Sequence, residues 1–249
     1  TFRFHARGEG LGQMCVLGTF SEYTVVPEAS IVKIDKDIPL DVAALVGCGV
    51  TTGFGSAVRT GEVRAGDAVV VMGVGGIGMN AIQGARIAGA RVIVALDPIQ
   101  YKRDRSLEFG ATHTAATLEE AQVLVADLTR GAMADACIVT TDSAEGAYVA
   151  HGLSLVGKRG RVVMTAIPHP MDVTVDMSLF DLTLYEKQVR GSLFGSSNPR
   201  SDIPLLLDLH KSGQLKLNEL ITREYTLDDV NQGYADMHAG VNIRGLIRY

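Results

Sequence analysis

The stretch that decides the fold of this chain is VVVMGVGGIG, residues 69–78. Gly73, Gly75 and Gly78 form the pattern G-x-G-x-x-G, which directly follows a run of β-branched residues and opens a helical pattern. In this pattern the first glycine permits a tight turn, the second lets the backbone approach a pyrophosphate, and the third lets the helix pack on the strand. The free N–H groups at the start of such a helix attract phosphate. The stretch therefore predicts a strand, a phosphate-binding turn and a helix.

Short apolar runs alternate with helical patterns on both sides of this stretch. The predicted strands are 68–72, 91–96, 112–115, 135–140, 161–166 and 188–194, and the predicted helices are 77–88, 101–109, 118–129, 143–155 and 177–186. Runs rich in Val and Ile that are apolar along their whole length are typical of strands buried on both faces. Because strands that alternate with helices form parallel sheets, the sequence predicts an α/β fold with a doubly wound, six-stranded parallel sheet.

The two ends of the chain lack this alternation. They contain predicted strands at 19–26, 31–34 and 243–249 and predicted helices at 203–211 and 227–238. We interpret them as parts of a second, mostly β unit that the chain leaves and later re-enters. The predicted division is a partial second unit at 1–49, a dinucleotide-binding domain at 50–193 and a return to the second unit at 194–249.

An acidic residue follows the second strand of the predicted sheet. Asp97 lies 19 residues beyond Gly78, where the dinucleotide fingerprint places an acid for the adenosine ribose. A carboxylate accepts a hydrogen bond from a ribose 2′-hydroxyl and repels a 2′-phosphate, so Asp97 favours NAD over NADP. The alternative is a solvated aspartate in the turn Asp97-Pro98. Lys102 and Arg103 could support a phosphate, but they begin a predicted helix, where a surface role is common.

Composition and charge exclude several classes of function. The 249 residues carry a net charge of −5 and no basic run longer than a pair, which argues against nucleic acid as a partner. No apolar run approaches the ~20 residues that span a bilayer, so we expect no membrane association. The cysteines Cys15, Cys48 and Cys137 are too widely spaced for a disulfide scaffold or a zinc site of cysteines alone, and they fit a cytoplasmic protein.

A second glycine-rich block precedes the sheet. Residues 45–58, LVGCGVTTGFGSAV, carry more glycine than a helix favours, since each costs about 1 kcal/mol relative to alanine. Close approach of another backbone would explain these glycines. Taken alone, Cys48 is predicted as a small buried hydrophobic side chain.

These motifs together resemble zinc-containing medium-chain alcohol dehydrogenases. The matching stretches are GCGVTTGFGSAV from Gly47, GVGGIG from Gly73, GTFSEYTVVP from Gly18 and NIRG from Asn242. The stretches LFDLTLYEKQ from Leu179 and GSLFGS from Gly191 are most similar to the nitrosoaniline-dependent branch of that family. The resemblance runs from about residue 18 to residue 249. It implies a Rossmann sheet joined to the remainder of a GroES-like catalytic domain.

The resemblance also implies roles for individual residues in hydride transfer between an alcohol or aldehyde and NAD. Cys48 would be a ligand of the catalytic zinc and Thr52 would contact the nicotinamide ring, which makes these two the candidate catalytic residues. The phosphates and the adenosine ribose would be held by Gly73, Val74, Gly75, Gly76, Ile77, Gly78, Asp97, Lys102 and Arg244. The nicotinamide ribose would be lined by Thr140, Ile167 and Phe194. The metal would lower the pKa of the alcohol and stabilise the alkoxide.

The sequence departs from the family in the residues that complete the metal site. A catalytic zinc needs three protein ligands, and the family carries the other cysteine and the histidine before the segment that matches Gly18. The 17 residues before Gly18 contain only His5 and Cys15, and neither lies in a matching motif. We therefore expect a chain that lacks the first part of the catalytic domain and is catalytically incomplete.

Two other functions stay open at this point. One is an NAD-binding module without activity, and the other is a zinc-free quinone reductase of the same superfamily, against which Cys48 argues. The resemblance further implies a homodimer, because the strand 188–194 would lie at the sheet edge and an unpaired edge invites pairing across a two-fold axis.

Overall fold

The computed structural model describes residues 2–249 except 14, 16, 170, 172 and 173. Ahead of the main sheet lie β1 (Phe4–Ala6), β2 (Glu9–Leu11), α1 (Leu40–Val46) and α2 (Gly49–Gly55), which continues as a π-helical turn, Ser56–Thr60. The main sheet and its crossovers comprise β3 (Ala68–Met72), α3 (Gly76–Ile87), β4 (Val92–Leu96), α4 (Gln100–Phe109), β5 (His113–Ala115), α5 (Leu118–Leu128), β6 (Ala134–Val139), α6 (Gly146–Leu155), β7 (Val156–Met164), α7 (Leu179–Leu184) and β8 (Gln188–Gly191). The chain ends with α8 (Pro199–Lys211), β9 (Ile221–Tyr225), α9 (Val230–His238) and β10 (Arg244–Ile247).

The central sheet has six strands in the order β5-β4-β3-β6-β7-β8, and every neighbouring pair is parallel. The chain enters at β3, builds outward to β5, and then returns to the other side of β3 to build outward to β8. This order confirms the predicted doubly wound parallel sheet. It also places the change of direction between β3 and β6, and ligands of such sheets bind at the carboxyl ends of the strands beside that point.

The pleat of the strands divides the core into two layers. Val69 and Val71 pack with Ile82 of α3 on one face of the sheet, whereas Val70 packs with Val125 of α5 on the other. This alternation is the two-residue period of a strand buried on both faces. The first layer also contains Val42 of α1 and Leu206 of α8. This layer joins residues from all three parts of the predicted division at 49/50 and 193/194. The division itself stays a prediction.

Several predicted strands differ in the structure. Residues 19–26 and 31–34 form no strand, and Tyr23 and Val25 are 89% and 96% exposed. A β-branched pattern yields a strand only where a neighbour supplies hydrogen bonds and packing, and none of the described strands pairs with these segments. The short β1–β2 hairpin and β9, which pairs in parallel with β10, were not predicted. The last strand of the sheet ends at Gly191 rather than at residue 194.

Close packing of α2 on α3 explains the glycines of the block before the sheet. A Cβ on Gly53 would overlap the carbonyl oxygen of Ile77 and lie 2.8 Å from Cβ of Asn80. A Cβ on Gly84 would lie 3.0 Å from the carbonyl oxygen of Phe54. Every residue of α2 is buried. The two helices therefore approach backbone to backbone, as expected from the sequence.

The helices of the described residues were compared with the length and hydropathy that a membrane span requires. No single helix among the described residues is long and apolar enough to cross a membrane, although the pair formed by α1 and residues 49–60, bent by 48°, passes a test of length and composition.

A buried amide fixes the segment after α8 to the glycine-turn helix. The side chain of Gln83 on α3 donates from Nε2 to the carbonyl of Lys216 at 2.9 Å, and the N–H of Lys216 donates to Oε1 of Gln83 at 2.7 Å. Gln83 is fully buried, so both ends of its amide are satisfied by one residue. This contact was not predicted from the sequence.

Candidate functional site

The three glycines of the turn have three different environments. Gly73 has φ +85°, a left-handed conformation that favours glycine. A Cβ on Gly78 would overlap the carbonyl oxygen of Gly73, so only glycine lets α3 start so close to the strand. At Gly75 a Cβ would meet no atom within 4 Å. These environments match the predicted tight turn, close packing and open approach.

Polar residues form a row where the strands end. The N–H of Gly73 donates to Leu96 O at 2.8 Å on the neighbouring strand. The N–H groups of the residues that follow β6, β7 and β8 likewise donate to carbonyls of a neighbouring strand. Those residues are Thr140, Thr165 and Ser192, with Asp97 following β4. Since the carboxyl ends of parallel strands share one edge, the row lies across the part of the sheet where ligands bind.

The carboxylate of Asp97 is held in place by the backbone. It is 5% exposed, so the alternative of a solvated turn residue is wrong. Oδ2 accepts from the N–H of Val74 and Oδ1 from the N–H of Ile99, both at 2.9 Å. Each carboxylate oxygen has a second lone pair, which leaves acceptor capacity for ribose hydroxyls. Arg103 donates to the carbonyl of Asp97 at 2.7 Å, so this cation supports the backbone.

The other predicted contacts on the adenosine and nicotinamide sides are placed differently. The hydroxyl of buried Thr140 donates to Gly73 O at 2.6 Å, which stabilises the glycine turn. Ile167 is 68% exposed at the carboxyl edge beyond β7. Lys102 is partly buried on α4 and makes no hydrogen bond among the described residues. Phe194 lies in a turn beyond β8 with φ +53°, rather than at the end of the strand as predicted.

Cys48 and Thr52 lie at the start of α2. Cys48 directly precedes the helix and is exposed, so the prediction of a small buried hydrophobic side chain is wrong. The N–H of Thr52 donates to Cys48 O at 2.9 Å, which places the two residues one helical turn apart. Thr52 is buried, and its hydroxyl forms no hydrogen bond within the part of the chain that the structure describes.

Arg244 joins the start of α2 to the glycine turn. A Cβ on either Gly49 or Gly76 would overlap its guanidinium, so the side chain passes between the two helix starts. Among the residues described, this guanidinium forms neither a side-chain hydrogen bond nor an ion pair. Its burial lowers the pKa of Arg244, and the nearby thiolate form of Cys48 acts in the opposite direction. A partly buried cation that pairs with none of the described residues carries a desolvation cost, which an anionic ligand would offset.

A polar cluster that the sequence did not reveal holds the segment before Arg244. Asn242 donates to the hydroxyl of Tyr225 at 3.1 Å, and Tyr225 donates to the carboxylate of Asp236 at 2.7 Å. Asp236 is buried and is also paired with Arg223. These contacts fix the beginning of β10, so Arg244 starts from a rigid backbone.

The described residues do not complete a metal site. Among them, no group of three or more His, Cys, Asp and Glu side chains could hold a metal ion, and Cys48 offers one thiolate where a catalytic zinc needs three protein ligands. Cys15 is exposed outside this site, and burial raises the pKa of Cys137 to about 12, so its thiol is inert.

The parallel sheet, the glycine turn and the paired Asp97 define the fold as that of the α/β dinucleotide-binding class. The model of the zinc-binding dehydrogenase family matches residues 76–212. The chain is 49% identical over 249 residues to the NDMA-dependent alcohol dehydrogenase of Amycolatopsis methanolica, and the match covers 100% of this chain and 67% of that protein. The chain therefore belongs to the zinc-binding dehydrogenase family, and the resemblance drawn from its sequence is confirmed.

Two further comparisons agree with this assignment. The chain is 49% identical over 249 residues to alcohol dehydrogenase B of Mycobacterium tuberculosis, covering 100% of this chain and 66% of that protein. The crystal structure of an alcohol dehydrogenase zinc-binding domain protein from Burkholderia ambifaria matches with a TM-score of 0.81 and 30% identity, over 87% of this chain and 58% of that chain. The chain thus spans about two thirds of the length of the curated relatives it matches.

Proposed function

We propose that this chain binds NAD(H) along the carboxyl edge of its sheet and serves hydride transfer between that cofactor and a small-molecule alcohol or aldehyde. The observation that carries the proposal is the open space at Gly75 together with the guanidinium of Arg244, which lies against the next residue, Gly76, and pairs with none of the described residues. When bound, NAD supplies the nicotinamide ring that accepts or releases the hydride. The relatives named as alcohol dehydrogenases support the reaction class. The exposed thiol of Cys48 favours a zinc dehydrogenase over a zinc-free quinone reductase.

The residues at the start of α3 would hold the pyrophosphate. Gly75 is the N-cap and has no side chain to cap the helix, so the N–H groups of Gly76 and Ile77 are left for phosphate oxygens. Arg244, whose guanidinium lies against Gly76, would supply positive charge. Asp97 and Lys102 would contact the adenosine ribose, and Thr52 and Phe194 would border the nicotinamide.

Asp97 should give the chain a preference for NADH over NADPH of at least about tenfold in Kd, equivalent to roughly 1.4 kcal/mol. Its carboxylate would accept from the 2′-hydroxyl and repel a 2′-phosphate. Asp97→Ala should reduce this preference to about threefold or less. Fluorescence titration of both nucleotides measures the ratio, which general loss of stability leaves unchanged. Similar affinities of the wild-type chain for the two nucleotides would contradict the assignment.

Cys48 is proposed as a ligand of zinc only together with two further protein ligands. The described residues do not provide them, so no step of the reaction is assigned to a metal in this chain. After dialysis the 249-residue chain should hold well under one zinc per chain, because a lone thiolate binds the ion weakly. Cys48→Ala should leave NADH binding unchanged within about twofold. Elemental analysis that finds one tightly bound zinc per chain would overturn this expectation.

We also propose a homodimer that pairs through β8 and a location in the cytoplasm. β8 is one of the two edge strands of the sheet, and Val189 within it and Leu193 just beyond it expose 38% and 87% of their surfaces. Exposed apolar residues on an unpaired edge favour pairing with a second copy. The unpaired cysteines fit a reducing compartment. Light scattering that reports a monomer at micromolar concentration would contradict the dimer.

A further inference from the structure

Hydroxyl groups from four parts of the chain form a connected cluster behind the proposed nicotinamide side. Ser56 and Thr60 belong to the π-helical turn after α2, Thr165 and Ser192 follow β7 and β8, and Ser196 lies in the next turn. The oxygen–oxygen distances are 2.9 Å for Thr165–Ser56, 3.0 Å for Ser56–Ser192, 2.9 Å for Ser192–Thr60 and 2.8 Å for Thr60–Ser196. We call this cluster the hydroxyl chain.

The direction of every hydrogen bond in the hydroxyl chain can be assigned. Ser56 donates to the carbonyl of Thr52 at 2.7 Å, and a hydroxyl has one hydrogen to donate. Ser56 must therefore accept from its hydroxyl neighbours, and the same constraint passes outward along the chain. Donation then runs from Ser196 to Thr60, to Ser192 and to Ser56, with Thr165 also donating to Ser56. Each hydroxyl hydrogen is used once.

This direction excludes proton transfer as the role of the hydroxyl chain. A proton relay must end at a group that can take up a proton and release it, whereas the hydroxyl chain ends at the backbone carbonyl of Thr52. A fully satisfied and mostly buried network instead gives its members one defined arrangement.

The hydroxyl chain holds a strained turn against α2. Phe194, Gly195 and Ser196 have φ +53°, +67° and +51°, three successive left-handed residues of which two are not glycine. Such a backbone persists only where its surroundings hold it. Ser196 is bonded to Thr60, and a Cβ on Gly195 would lie only 2.7 Å from the carbonyl oxygen of Thr52.

We propose that the hydroxyl chain positions the nicotinamide half of the cofactor, with Ser192 and Thr60 as its central positioning residues. It fixes Phe194 and Thr52, the two residues proposed to border the nicotinamide, relative to each other. The glycine turn and Asp97 share none of its hydrogen bonds among the described residues, so the adenosine half is held separately. The inference rests on the proposed NAD(H) site.

The test compares NADH with ADP-ribose, which lacks the nicotinamide, by calorimetric titration of the whole chain. Each of Ser192→Ala and Thr60→Val breaks two hydrogen bonds of the hydroxyl chain, and each should raise the Kd of NADH by about fivefold to tenfold while leaving that of ADP-ribose within about twofold. Thr60→Ser keeps the hydroxyl and should restore NADH binding. Thr129→Val is the matched control, because the Thr129 hydroxyl donates to Val125 O at 2.7 Å at the end of α5, outside this site.

Other results would overturn the inference. Equal weakening of both ligands would show a general structural role, and unchanged NADH binding or a failure of Thr60→Ser to restore it would remove the positioning role. If Ser192→Ala does not fold, Ser192→Cys keeps the shape of the side chain with a weaker donor and must show the same selective loss. A wild-type chain that binds neither ligand would overturn the proposed function itself, whereas selective effects in the variants require that function to hold.

Discussion

Gly75→Val is expected to abolish NADH binding, with a rise in Kd of at least about 100-fold, while the protein remains folded. The space around the Cβ position of Gly75 is empty of protein atoms to 4 Å, and its φ of −75° is accessible to valine. The new side chain would therefore occupy only the volume through which the pyrophosphate approaches. NADH fluorescence titration and thermal unfolding of the same sample measure the two effects.

Two other glycines provide the comparison. Gly78→Val should fail at the level of folding, because its Cβ overlaps the carbonyl of Gly73. Gly12→Val, also at a position with no atom within 4 Å of the Cβ but outside the site, should change neither binding nor stability. Retained NADH affinity in a folded Gly75→Val protein would refute the assignment of the glycine turn as the pyrophosphate site.

Arg244→Met is expected to weaken NADH binding by about tenfold to 100-fold and to stabilise the free protein. The guanidinium would form charge-assisted hydrogen bonds with the pyrophosphate, worth roughly 1.5–3 kcal/mol. Without ligand the same group is a partly buried cation that has no partner among the described residues, so its removal relieves a desolvation cost. A gain of about 1 kcal/mol would raise Tm by roughly 2–4 °C.

Arg248, four residues further along the chain, is the control for loss of a positive charge. Its guanidinium is exposed and paired with Glu224, so Arg248→Met should leave NADH affinity unchanged. The dependence of NADH binding on salt should weaken in Arg244→Met but not in Arg248→Met. An Arg244→Met protein that binds NADH as tightly as the wild type would show that this cation faces no phosphate.

The sheet could be predicted because its signals are local. Runs such as 68–72 are apolar on both faces, and the alternation with helices leaves few topologies. The ends of the strands were harder to predict from the sequence. β8 ends at Gly191, just before Ser192 of the hydroxyl chain, rather than where its apolar residues stop. Residues 19–26 carry a strand-like pattern but pair with none of the described strands. A local sequence rule cannot detect whether a partner strand exists.

The candidate site was predictable in part. The G-x-G-x-x-G pattern identifies the turn because each glycine answers a local steric demand. Other contacts join residues that lie far apart in sequence: Asp97 with Val74, Gln83 with Lys216 and Ser192 with Thr60. They could not be predicted, because polar side chains give no periodic signal of their partners. The passage of Arg244 between Gly49 and Gly76 depends on how two helix starts meet, which becomes visible only in three dimensions.

The pairing of Asp97 with Val74 and Ile99 has a consequence for how cofactor preference can evolve. A substitution that removes the carboxylate to admit NADP also releases two backbone N–H groups, each costing about 1–3 kcal/mol if left buried and unpaired. That cost is a large share of the ~5–15 kcal/mol by which native proteins are stable. A lineage changing specificity at Asp97 must therefore acquire stabilising substitutions first, or keep Asp97 and change the residues around it. The proposed preference for NAD would thus be protected by the folding stability of the glycine turn.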